Sequence, residues 1–135
     1  MIPPDGDHRL IARRWVLVAD RDIRSAEACL AGADPIPEAA ANRCQQAAEK
    51  LIKGLLVLAR TPFRKTHDME VLRDLVVPAF PDLTELVERM VPLSDWGHAY
   101  RYPGLDDEPI PTSAELRLVL TEIKALAAEV TIRAE

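Results

Sequence analysis

The chain has 135 residues, a net charge of −5 and only 4% aromatic residues. That length suits one domain with a real core, and a core stocked with 19 Ala and 17 Leu suits packed helices better than a sandwich rich in Val, Thr and Tyr. The acidic balance argues against a general nucleic-acid binder, and no apolar run approaches the roughly 18–20 residues that span a bilayer.

The eleven prolines leave clean windows at 5–34, 38–61, 63–77, 82–91 and 112–135. Proline breaks helix interiors and is tolerated in connections and first turns, so the windows predict about five helices. Residues 8–31 read as the first. Ile11, Trp15, Val18, Asp22/Ile23, Ala26 and Cys29/Leu30 recur at three- and four-residue steps, and Gly32 is a natural stop. Residues 38–59 read as the second. Cys44, Ala47/Ala48, Leu51, Leu55 and Leu58 form its apolar stripe, and Gln46, Glu49/Lys50 and Lys53 its polar one. A basic loop follows at 60–66. Thr66 is the expected N-cap of a third helix over about 67–77, with Met69, Leu72 and Leu75/Val76 inward. A fourth helix at 82–91 turns Leu83, Leu86/Val87 and Met90 inward. Residues 92–111 form a long loop with four prolines, and such loops more often carry function than not. Thr112 and Glu115 make a capping box for the last helix, which runs to about residue 133. The expected architecture is all-α: an up-and-down four-helix bundle with an additional short helix, as a single domain over residues 1–135.

The charge is split. Residues 1–65 carry 11 Lys/Arg against 8 Asp/Glu, and residues 66–135 carry 6 against 14. The start, Met-Ile-Pro-Pro-Asp-Gly-Asp, lacks the basic and apolar regions of a signal peptide, and Cys29 and Cys44 read as reduced thiols in a cytoplasmic protein. The hairpin would nevertheless bring the two cysteines near one another. His8, His67 and His98 lie on three segments, and no glycine-rich phosphate loop or paired-cysteine motif is present. No metal site and no cofactor is expected.

Three motifs in order carry a family resemblance: Gln45-Gln46-Ala47-Ala48-Glu49-Lys50 with Lys53, then Lys65-Thr66-His67-Asp68-Met69, then Arg101-Tyr102-Pro103. Together they resemble the HEPN domain family over roughly residues 9–133. The resemblance implies a helical bundle, a homodimer, and a nucleotidyltransferase partner in a toxin–antitoxin-like module. Some members of that family are metal-independent ribonucleases with an Arg-x4–6-His motif near the start of the last helix. The Arg-Tyr-Pro branch is linked instead to nucleotide binding.

This chain departs from the ribonuclease pattern. The spacing after Arg101 lands on Asp106, Asp107 and Glu108, which cannot move a proton near neutral pH as an imidazole does. A formal match exists at Arg60 and His67, but before the third helix. Arg60 and His67 are therefore the catalytic candidates of an alternative, ribonuclease reading. The primary reading gives nucleotide or RNA binding to Arg101, Tyr102, Lys50 and Lys53: an arginine fork and lysine charge for phosphate, a tyrosine face for a base. Each has a plainer counterpart. Arg101 would clamp the loop to a carboxylate such as Glu49, and Lys50 and Lys53 would be a solvated helix face. A scaffold with no ligand is the third alternative.

Overall fold

The computed structural model describes residues 7–96 and 111–135. Among them the structure is all-helical: α1 (Asp7–Leu30), α2 (Pro37–Leu58), α3 (Met69–Val76), a 3-10 turn (Pro81–Leu83), α4 (Thr84–Glu88) and α5 (Ser113–Arg133). Residues 93–96 add one further helical turn.

Local chemistry sets the ends. Gly32 takes a φ of 85° after α1, a conformation that costs glycine little. Pro37 opens α2 with a φ already suited to a first turn. The expected capping box closes on α5, with the Glu115 amide donating to Thr112 Oγ1 at 3.1 Å and the Thr112 amide to Glu115 Oε1 at 3.3 Å. α2 ends in a paired turn. The Arg60 amide donates to the Val57 carbonyl and the Thr61 amide to the Leu56 carbonyl, both at 3.0 Å. This is a Schellman arrangement with an arginine at the position glycine usually takes.

Packing follows from these ends. Lys50 meets Asp22, and Gly54 meets Trp15 and Ala12, so α1 and α2 run antiparallel. Arg117 Nη2 donates to the Leu30 carbonyl, and Arg13 Nε to that of Ala134, so α5 is antiparallel to α1 as well. Asp82 meets Arg133 and Arg89 meets Glu122, so the stretch from Pro81 to Trp96 runs back along α5. That broken stretch fills the fourth position of an up-and-down bundle, and α3 is the additional short helix. α2 lies at the centre, with Leu51, Ile52, Leu55 and Leu56 wholly buried. Gly54 permits the close approach. A methyl there would stand 3.3 Å from Trp15 Cβ and 3.5 Å from Val130 Cγ1.

Several expectations need correction. α3 starts at Met69, and Asp68 is its N-cap, accepting from the Glu70 amide at 2.9 Å; Thr66 instead accepts from the Asp68 amide. The single helix expected at 82–91 is a 3-10 turn followed by five helical residues. On α1 the buried positions are Ala12, Ala19, Asp22, Ile23, Ala26 and Leu30, while Val18 is exposed and Ile11 and Trp15 are half-buried. Small alanines let α2 approach one side of the expected stripe and leave its bulky members at the edge. The polar stripe of α2 is not a solvated face, because Glu49 and Lys53 are buried. Cys29 and Cys44 are both free thiols, and burial, with Cys29 nearby, pushes the Cys44 thiol up to about 12. Cys44 is thus a protonated core residue at neutral pH.

Candidate functional site

Two polar networks meet on α2, one through Gln45, Glu49 and Lys53 and the other through Arg43 and Lys50. The first centres on Glu49, only 5% exposed. Its carboxylate accepts from Gln45 Nε2 at 3.1 Å, from Lys53 Nζ at 3.1 Å and from His67 Nδ1 at 3.0 Å. Gln45, Glu49 and Lys53 stand at successive four-residue steps, which puts them on one face of the helix. His67 reaches that face from the loop before α3. With Glu49 accepting, the proton of the imidazole sits on Nδ1. His67 is itself well exposed.

The second network centres on Asp22 of α1, 6% exposed. Lys50 Nζ stands 2.6 Å from Asp22 Oδ2, and Arg43 Nη1 stands 3.6 Å from Oδ1. Asp22 falls in register with the inward side of α1, so a buried acid there needs a cation. Buried ions are costly to dehydrate, and good pairing offsets that cost without adding much net stability. These networks therefore fix which faces meet. The Lys50 pair sets α1 against α2, and the His67 bond straps the basic loop onto α2.

The sequence candidates are distributed as follows. Lys50 and Lys53 lie on α2, each committed to a buried carboxylate. Arg60 does not join His67. It follows the end of α2, whose last residue, Leu58, lies nine residues and about 14 Å of helix rise beyond Glu49. Arg101 and Tyr102 lie outside the described residues, as do His98, Tyr100 and Asp106, Asp107 and Glu108. Sequence reasoning missed Arg43 and gave Gln45, visible in the motif, no role. It placed Asp22 on the inward stripe without asking what would neutralise it, and that acidic position was the available signal.

Fold and site together define a small helical-bundle domain whose central helix buries Glu49 and Lys53 and pairs Lys50 with the buried Asp22 of α1. The family model of the HEPN domain matches residues 12–131, and the chain belongs to that family, whose helical modules are associated with nucleotides or RNA. No curated protein and no solved structure matches the chain at a level that supports comparison. No helix among the described residues is long and apolar enough to cross a membrane.

Proposed function

We propose that the chain is a nucleotide- or RNA-associated module that acts as a cytoplasmic homodimer beside a nucleotidyltransferase partner, in a toxin–antitoxin-like pair. The observation that carries the ligand reading is how the cations are divided. Lys50 and Lys53 face buried acids, whereas Arg64 and Lys65 are exposed on the loop that His67 straps to α2, with no carboxylate partner among the described residues. A strapped basic loop offers phosphate a preorganised surface. The reading also assigns Arg101 and Tyr102, which lie outside the described residues, a planar fork for phosphate and an aromatic face for a base, while Lys50 and Lys53, paired with Asp22 and Glu49, hold the helix behind the loop in register. Isothermal titration with ATP, GTP and a short RNA tests this. The reading expects binding that weakens at least tenfold in Arg64→Ala/Lys65→Ala and in Arg101→Ala. No binding by the wild type, or binding that neither variant weakens, overturns it.

The homodimer reading draws on α1. Ile11, Trp15 and Val18 line a shallow hollow of about 300 Å³ together with Arg14, and Leu10 and Leu17 beside it are 45% and 66% exposed. Apolar patches of this kind mark association surfaces. Light scattering should show Leu17→Glu/Val18→Glu as a monomer and the wild type as a dimer.

One observation favours the ribonuclease alternative. A buried carboxylate holds the well-exposed His67 by Nδ1, the way a carboxylate orients a catalytic imidazole. RNA cleavage by the wild type that is lost in His67→Ala would establish it, and absence of cleavage would remove it.

A further inference from the structure

At the end of the bundle where α2 and α5 finish, the first turn of α1 and Phe80 close a cleft of about 430 Å³. His8, Arg9, Leu58, Arg60, Phe80 and Arg133 line it. Its volume falls within the range of small-ligand pockets, roughly 300–1,000 Å³.

The cations of this cleft are not equivalent. Arg133 is neutralised by Asp82 and Glu129 and stands 5.4 Å from the centre of the Phe80 ring. Arg9 and Arg60 have no carboxylate partner among the described residues. The positive end of α1 is outnumbered by the negative ends of α2 and α5, so attraction for an anion in the cleft has to come from the guanidiniums. Two atoms of the lining residues, His8 Nδ1 and Arg133 Nε, are buried without a hydrogen-bond partner among the described residues. Native proteins seldom leave such groups unmet.

Arg60 supplies an independent sign. Its φ of 55° lies in the left-handed region, and it is the only non-glycine residue so placed among those described. Glycine adopts this conformation without the steric strain an L side chain brings. Strained non-glycine residues cluster at binding and catalytic sites, and this one stands at the wall of a cleft.

We infer that this cleft binds a phosphate monoester between the guanidiniums of Arg9 and Arg60, with Leu58 and Phe80 against the group that carries it. A guanidinium offers two parallel donors that match two phosphate oxygens. The inference rests on the nucleotide- or RNA-associated reading only for what bears the phosphate. Free phosphate, a nucleoside monophosphate and an RNA 5′ end share this chemistry.

Calorimetric titration separates the sources, using inorganic phosphate, AMP, adenosine, and one short RNA with either a 5′-phosphate or a 5′-hydroxyl. AMP should bind and adenosine should not, and the 5′-phosphorylated RNA should bind at least tenfold tighter than its 5′-hydroxyl form. Binding of inorganic phosphate alone, lost in Arg60→Gly, keeps the phosphate site and removes the nucleotide as its source. Arg60→Gly should raise the melting temperature by about 4 °C, because strain is relieved, while weakening AMP at least tenfold. Arg9→Gln should weaken AMP similarly in a folded protein. RNA binding that ignores the 5′-phosphate overturns the cleft and leaves the functional reading standing. Absence of binding by every ligand overturns both, and full AMP affinity in Arg60→Gly overturns the cleft alone.

Discussion

The middle and the C-terminal end of α2 handle positive charge in opposite ways. Along its middle, Lys50 and Lys53 are turned inward onto Asp22 and Glu49, and their charge is spent on folding. Just past its C-terminus, Arg60 sits in a strained backbone conformation with no carboxylate partner among the described residues, beside Arg9. Lysines in a family motif are natural candidates for a ligand, yet here they neutralise buried acids. The arginine at a helix stop lines the open cleft. A cation's neighbours, more than its place in a motif, decide what it is free to do.

The sharpest way to break this contrast is at Glu49. Glu49→Ala leaves Lys53 buried without a counterion and should cost about 3–5 kcal/mol in chemical denaturation. Replacing the pair together, Glu49→Leu with Lys53→Met, should recover most of that loss, since apolar groups of similar size often substitute for a buried pair. A single variant costing no more than a surface substitution would show that the network is solvated after all. Asp22→Ala should cost less, about 1–3 kcal/mol, because Lys50 is partly open to water and keeps some hydration.

Past the C-terminus of α2 the sign reverses. Arg60→Gly should stabilise the fold by about 1 kcal/mol, and Arg60→Ala, which keeps a Cβ in the same conformation, should not. Calorimetric melts of both variants read the difference directly. The smallest effect belongs to Asp82. The hydrogen bond from Arg133 holds its carboxyl below the ordinary value. The contribution is therefore present above the unfolded value of about 3.9 and fades as acid protonates the folded carboxylate. Asp82→Asn should flatten this slight acid dependence and leave the melting temperature at pH 7 nearly unchanged.

Much of the fold was legible because proline and periodicity are local signals. The windows between prolines, trimmed by the apolar periodicity and the stop signals inside them, located α1, α2 and α5 to within a residue or two, and the Thr112–Glu115 capping box is an exchange between near neighbours. The short elements were harder. Pro81 and the turn chemistry around it favour a 3-10 start, and the apolar spacing of Leu83, Val87 and Met90 serves a broken helix as well as an intact one. The candidate site was less legible still. Glu49, Lys53 and His67 were visible as residues of a motif, but their burial depends on how the loop folds back, which is a tertiary fact. The cleft joins residues 8, 9, 58, 60, 80 and 133, a set that no spacing rule connects.

The most direct test of the contrast is a two-dimensional NMR titration of the wild-type protein with AMP. The amide shifts should concentrate at His8, Arg9, Leu58, Arg60, Phe80 and Arg133, and leave Glu49, Lys50 and Lys53 unmoved. Shifts centred on Glu49, Lys50 and Lys53, with the cleft silent, would contradict the account.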